Sequence, residues 1–368
     1  MLEVRQGDFA SFFAAPFACY GKGSHFAAPM KNDLERSLDP ARNPLFRDHA
    51  RRELFTVHRD GRPVGRILAH IHDASNRRHG RKQGYFGLFD CIDEPAIGHA
   101  LLDAACAWLK ARECEEICGS FNLTITQIIG VVTEGFENAP YTYQEWTPPH
   151  IARLLAEAGF APYMPMQTFE VDVHGFDIDS LLGERQRALL SDNAWRFEPI
   201  RRRGFEQRLR EACRVLNDGF DKNLMFTPLS EEEFLFPCEG MMWIIDERLS
   251  QIAYHRGEPA GVLLCVPDLN PFLRATDYRY QLSTPWHLLN FRLRRKRAAL
   301  IFFSVCQRFH GQGVNGVLLH RTLSAMREGG YQTLGISWVS DSNGASQRQM
   351  EKMRARRLHR LHLFRKTL

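Results

Sequence analysis

The sequence predicts a mixed α/β (α+β) protein made of two tandem domains, each a mixed central sheet flanked by helices. Three observations carry that reading. FTVHRDGRPVGRILAHI, residues 55 to 71, reads like IAYHRGEPAGVLLCV, residues 252 to 266, an internal repeat nearly two hundred residues apart. Each copy is followed by an apolar strand and then an amphipathic helix, in the same order. With 368 residues, 44% hydrophobic and 11% aromatic, the chain can bury two cores. The cut is expected at 175/176, giving domains 1–175 and 176–368.

The repeat organises the elements. Each copy is a strand, a tight turn containing Gly and Pro, and a second strand, as a hairpin requires. The next strand is GYFGLFDC in the first copy and AALIFFSV in the second. The helices after them are IGHALLDAACAWLKAR and VNGVLLHRTLSAMREGG, and a short strand follows each, ending at Asn122 and Asn343. NLMFTPLSEEEFLFPCEGMMWII (223 to 245) reads as an apolar strand that buries one face. WHLLNFRLRRKRAALIFF alternates bulky apolar and basic residues, either as a strand with a basic loop or as a face that meets anionic lipid headgroups.

Composition excludes several classes. No run of about 18 apolar residues occurs, so no membrane span is expected, and MLEVRQGDFASFF lacks the basic start and apolar core of a secretory signal, which places the expected site in the cytoplasm. The nine cysteines are scattered, with CEEIC the closest pair and no CxxC, so buried thiols are expected and no metal. The net charge of +5 is concentrated in FRLRRKR (291 to 297) and RARRLHRLHLFRK (354 to 366). These runs read as solvated faces, or as partners of CoA phosphates or an anionic membrane surface. No nucleic-acid-binding signature accompanies them, and nothing in the chain fixes an oligomeric state.

The sharpest motif is QRFHGQGVNGVLLHRTL, residues 307 to 323. Gly311 and Gly313 let backbone N–H groups turn toward a ligand, and the helix from Val314 adds its positive dipole end there. That is a phosphate cradle, or simply a tight strand-to-helix turn. The order of hairpin, strand, glycine loop, helix, strand and helix resembles the GNAT acyltransferases, and HGQGVNGVLL resembles their acyl-CoA pyrophosphate loop. His310 stands where that family prefers Arg or Gln, and Asn315 where it prefers a third small residue.

The resemblance implies acyl-CoA as cosubstrate, held by His310, Gly311, Gln312, Gly313, Val314 and Asn315, with Asn343 matching the Asn often found after the next strand. It also implies backbone N–H groups around Ser304, Val305 and Cys306 that polarise the thioester carbonyl. The family's Tyr in the last helix is missing, and Met353 stands near its place. In the first copy DCIDEPAIGHALL puts Asp93, Glu94 and Pro95 before the helix. Acids repel phosphate and proline has no amide donor, so only the second copy is expected to bind CoA.

FACYGKGSHFAAPMKNDLERSLDPARNPLF and GSFNLTITQIIGVVTEGF are similar to a bacterial branch of tandem GNAT proteins that includes the bacterial ceramide synthases. That resemblance implies transfer of a long acyl group to the amine of a lipid-like base. The alternatives are a small-molecule or peptide N-acetyltransferase and a non-catalytic binding protein of the same fold. The first copy carries an insertion, residues 123 to 150, that reads either as a packing flap or as an acceptor lining with Asn122, Thr126, Gln127, Tyr141, Tyr143 and Trp146. On the lipid reading, a long amine enters between the halves, and the aromatics of 223 to 245 flank the acyl chain. Glu145, His150, His255 and Asp268 are the candidate bases, each also readable as a structural or surface residue.

Overall fold

Both repeated stretches close as hairpins on a pair of left-handed residues. Asp60 and Gly61 (φ 51° and 79°) turn the first, and Arg256 and Gly257 (φ 51° and 88°) the second. This is the backbone whose twist matches that of the flanking strands, and glycine at the second central position adopts it without steric cost. The computed structural model describes residues 2–21, 23–48, 50–124, 127–223 and 226–368. They form two compact units: Met1–Gln167 with Asp277–Tyr280 and Leu358–Leu368, and Thr168–Thr276 with Gln281–Arg357.

The first unit runs β1 (Leu2–Gln6), α1 (Phe9–Tyr20), α2 (Lys31–Leu38), α3 (Leu45–Asp48), β2 (Ala50–Arg59), β3 (Arg62–His72), α4 (Asp73–His79), β4 (Gln83–Cys91), α5 (Pro95–Lys110), β5 (Glu116–Gly119), β6 (Val131–Glu134) and α6 (Pro149–Glu157). β7 (Ala161–Asp172) carries the chain into the second unit. β1 to β4 pair antiparallel, and β5 joins β4 in parallel. α5 lays Ile97, Leu101, Ala105 and Leu109 on this sheet, a spacing that keeps all four on one helix face. Pro95 opens the helix at a position whose N–H has no intrahelical partner.

The second unit repeats the order. It contains α7 (Glu184–Ser191), β8 (Trp195–Pro199), α8 (Phe205–Phe220), α9 (Glu231–Leu235), α10 (Met241–Ile244), β9 (Gln251–His255), β10 (Glu258–Pro267), α11 (Asn270–Ala275), α12 (Thr284–Arg294), β11 (Arg297–Val305), α13 (Val314–Glu328), β12 (Thr333–Ser340) and α14 (Gly344–Lys352). β8 to β11 pair antiparallel and β12 joins β11 in parallel. The final strand, β13 (Arg356–Thr367), enters the first unit from Leu358 and pairs with β5 and β6.

One expected strand is helical instead, and the stretch from 286 to 303 divides into helix α12 and strand β11. Residues 231–244 form the short helices α9 and α10 with a 3-10 turn between them, because Ser230 and Glu233 make a reciprocal capping box that starts a helix. Phe226 and Phe234 enter the core while Met242 and Trp243 face solvent; Met225 lies outside the described residues. Residues 284–294 are α12, opened by Pro285 in the first turn, so the apolar and basic side chains follow a helical period. Within the insertion at 123–150, β6 pairs with β13. Among the described residues no helix is long and apolar enough to cross a membrane, and all nine cysteines are free.

Gly87 on β4 marks the tightest approach in the first sheet: a Cβ there would lie 2.0 Å from the carbonyl oxygen of Phe121. Gly87→Ala forces backbone apart where no side chain can yield. It should cost about 2–3 kcal/mol in urea unfolding, whereas Gly23→Ala, in open space, should leave the midpoint unchanged.

Candidate active site

β11 and β12 pair only through the first part of their length. The parallel register runs from Arg297 opposite Thr333 to Leu300 opposite Ile336, yet β11 continues to Val305 and β12 to Ser340. The two strands therefore part, and backbone facing the gap needs partners other than a ladder. On the far side β11 stays paired with β10, and Cys306 N–H donates to Ala260 O at 2.9 Å. N–H groups alternate in direction along an antiparallel strand. Cys306 and, two residues back, Ser304 turn toward β10; Val305 N–H turns to the gap. Val305 carbonyl accepts from His310 Nε2 at 2.8 Å, which fixes the tautomer of that ring and the start of the loop.

The loop after β11 follows from its glycines. Gly311 and Gly313 have φ of 77° and 95°, which only glycine adopts freely. Gly313 is the residue before α13 and supplies no side-chain cap. Gln312 N–H bonds Phe309 O and Gly316 N–H bonds Gly313 O. Among the described residues, no acceptor takes the N–H groups of Gly311, Gly313, Val314 and Asn315. Four amide donors without a protein acceptor at a helix N-terminus fit a pyrophosphate. α7 approaches from upstream in the chain: Arg185 Nη1 lies 3.5 Å from Gly311 O, and a Cβ on Gly313 would meet Gln186 Nε2 at 2.9 Å. Arg185 and Gln186 thus stand at the cradle without having been legible in sequence, since their helix is 126 residues away from the loop.

The first unit uses the same elements and closes them. β4 and β5 pair from Gln83 opposite Glu116 to Phe86 opposite Gly119, and then the chain folds back over the gap. Phe121 N–H bonds Phe86 O at 2.7 Å, and the Asn122 side chain accepts Leu88 N–H at 2.9 Å. At the head of α5, Glu94 is in a two-point ion pair with Arg59, and Asp93 pairs with Arg153. Where the second unit leaves amide donors open, the first places ion-paired carboxylates.

No family model matches the chain. It is 30% identical to the bacterial ceramide synthase of Caulobacter vibrioides (strain NA1000 / CB15N), over 92% of this chain and 89% of that one. The chain belongs to the bacterial ceramide synthase family. A further relative is Protein YghO of Escherichia coli (strain K12), 24% identical over 99% of this chain and 94% of that one. A tandem GNAT protein from the clavulanic acid biosynthesis pathway shares the fold, with a TM-score of 0.61 at 12% identity over 100% of this chain and 98% of that one. A GCN5-related N-acetyltransferase from Sphaerobacter thermophilus does so with a TM-score of 0.54 at 13% identity, covering 100% and 95% of the two chains. The fold is that of tandem GNAT proteins and the activity class is N-acyltransferase.

This ceramide synthase family member also carries a buried polar cluster inside its first unit. Arg66 and Asp90 are cross-strand partners on β3 and β4, paired at 2.8 Å and almost wholly buried. Tyr20 donates to Asp90 at 2.8 Å, and its ring meets Trp146 edge-on at 5.9 Å. Glu145 completes the group. Its carboxyl is pushed up to about 8, chiefly by burial and next by the charge of Asp90, against the Trp146 N–H, Arg66 and the Asn122 side chain. Sequence reasoning found Glu145 but not Arg66, Asp90 or Tyr20. The available signal was an arginine at an inward-facing strand position in VGRILAHI.

The remaining candidates are placed as follows. His150 Nε2 donates to Cys91 O at 2.8 Å and pins α6 to β4. His255 packs against Trp195 and Phe309, with ring centroids 4.8 and 5.0 Å apart. Asp268 pairs with Arg297 at 3.0 Å, at the end of β11 remote from the glycine loop. Asn343 caps α14 by accepting Ser346 N–H at 3.1 Å. Tyr141 is buried, Tyr143 has φ 66°, Trp146 Nε1 donates to Phe136 O at 3.0 Å, and Gln127 N–H closes a turn on Thr124 O. Thr126 lies outside the described residues. Met353 is buried in the second core, so an apolar side chain stands where the family often has a tyrosine hydroxyl. No three His, Cys, Asp or Glu side chains converge as a metal site among the described residues.

Glu145 gives a pH test. A carboxyl raised from 4.5 to about 8 holds its proton more tightly folded than unfolded. Stability is therefore lost as pH rises between those two values. Glu145→Gln, neutral throughout, should match the native chain near pH 4.5 and exceed it by at least about 1 kcal/mol near pH 8 in urea unfolding. An equal difference at both pH values would show that the carboxyl is not raised.

Proposed function

We propose that the chain transfers a long acyl group from acyl-CoA to the primary amine of a lipid-like acceptor such as a sphingoid base. The observation that carries the acyl-CoA part is the asymmetry of two like units: parted strands with open amide donors in the second, and the same elements closed in the first. In this reading the N–H groups of Gly311, Gly313, Val314 and Asn315 hold the pyrophosphate, aided by Arg185 and Gln186. Val305 N–H binds the thioester oxygen as charge develops on it. The amine nitrogen then attacks the carbonyl carbon, the C–S bond breaks, and CoA leaves as thiolate while the ammonium proton passes to a base. Similarity to the Caulobacter ceramide synthase supports the lipid amine as acceptor.

Glu145 is the group best suited to the ammonium head. A carboxyl held protonated by burial becomes an anion once a cation sits beside it, and Asp90 adds a second carboxylate near it. Tyr20 and Trp146 supply aromatic surface at the same place. Each methylene of a buried tail contributes about 0.8 kcal/mol, so chain length should dominate acceptor selectivity.

Purified protein offered acetyl-CoA and a long-chain acyl-CoA, each with a sphingoid base and with short polar amines, should yield the long-chain N-acyl sphingoid base as the main product by mass spectrometry. Equal reaction of short amines would replace this reading with a small-molecule acetyltransferase. In calorimetric titration with CoA, Gly313→Asp should bind at least about tenfold more weakly than Gly313→Ala, which shares its backbone strain but adds no charge at the cradle. Glu94→Gly should leave CoA affinity unchanged. Equal effects of the Asp and Ala variants would remove the phosphate from this loop.

A further inference from the structure

α12 shows water an apolar face that a helix on a protein surface normally buries. Trp286, Leu289 and Leu293 follow a helical spacing, and Trp286 and Leu293 are 69% and 77% exposed. Leu282, just before the helix, is fully exposed. α10 adds Met242 and Trp243, the latter 64% exposed. Arg292 ties α12 to α10 by donating to the Trp243 carbonyl, and Arg202, between β8 and α8, donates Nε–H to the Met242 carbonyl at 3.0 Å. All these residues belong to the second unit.

Beside this face is a cavity of about 340 Å³ lined by Arg202, Ile245, Asp246, Glu247, Arg248, Arg292 and Arg295. Asp246 pairs with Arg248 at 2.6 Å and with Arg295 at 2.7 Å, and Glu247 stands 3.7 Å from Arg202. Four guanidinium groups against two carboxylates leave two positive charges in excess. Arg294 and Lys296, both exposed, extend the positive field along the end of α12.

We propose that α12, α10 and the arginine-lined cavity form a docking surface for an anionic phospholipid membrane, with the cavity taking a headgroup phosphate. Two indoles and several leucines enter the interfacial region, where amphipathic rings are most at home. The arginines meet the phosphates, for which the planar guanidinium is suited, and each cation near such a surface contributes about 1 kcal/mol. The charge of the cavity selects a lipid surface over an apolar protein partner: a second copy of this chain would bring the same positive patch against itself. The proposal does not depend on which amine the enzyme acylates.

The test is flotation of the full chain with vesicles of phosphatidylcholine alone and of phosphatidylcholine mixed with phosphatidylglycerol. The chain should float with the mixed vesicles and release as salt is raised. Trp286→Ser with Leu293→Ser, at exposed positions that leave the core intact, should lower the bound fraction at least about tenfold. Arg294→Gln with Lys296→Gln should weaken binding and flatten its salt dependence. Unfolding midpoints of both double variants should equal that of the native chain. Equal binding to the two vesicle types, or unimpaired binding of the Trp286→Ser, Leu293→Ser variant, overturns the proposal. So does a native dimer that this variant turns into a monomer with no vesicle binding in either, and so does protection of the chain by inorganic phosphate alone without flotation.

Discussion

Everything distinctive about the second unit depends on a ladder that stops. β11 and β12 are held by parallel pairing up to Leu300 and Ile336 and then part. Backbone left without a partner in a protein interior costs about as much as a lost hydrogen bond, so such a gap persists only where the surroundings hold the strands apart. α8 packs against the free part of β11 from one side. Gly219 near its end brings the helix so close to β11 that a Cβ would lie 2.0 Å from Ser304 Oγ and 2.7 Å from Val305 O. His310 holds the Val305 carbonyl from the other end. The N–H of Val305 is thereby directed into the gap by its own strand register and by the loop that follows it.

The two units show how one fold can be opened or shut by a few side chains. The hairpins, the parallel strand pair and the helix after it recur in both. What differs is local. Asn122 offers its amide oxygen to Leu88 N–H and Phe121 returns to Phe86, so the first gap is filled by the chain itself. Carboxylates of Asp93 and Glu94, paired with arginines, replace the amide cradle. The first unit also contains Arg66, Asp90, Tyr20 and Glu145, a polar group that burial makes strongly responsive to any added charge. The same run of elements thus ends in open amide donors in the second unit and in paired carboxylates in the first.

By itself the sequence determined the duplicated α/β architecture, because hairpin turns, strand runs and helix periodicity are local properties that repeat at matching positions. It determined the glycine turn ahead of α13 as well, since positive φ at Gly311 and Gly313 is a demand on residue type. It also distinguished the two copies, because acids and a proline precede α5 where glycines precede α13. At 223 to 245 the apolar run fits both periods, and a capping box decided for helix; in 286 to 303 the first part is helical, opened by a proline in the first turn, and AALIFF is strand. Only the tertiary structure decided which unit the final strand completes, that Asn122 acts as a clamp, that Arg185 and Gln186 reach the cradle, and that Arg66 and Asp90 meet beneath Glu145. These are pairings between residues far apart in the chain, set by strand register and helix packing, and a linear pattern holds no information about which distant partner a side chain will face.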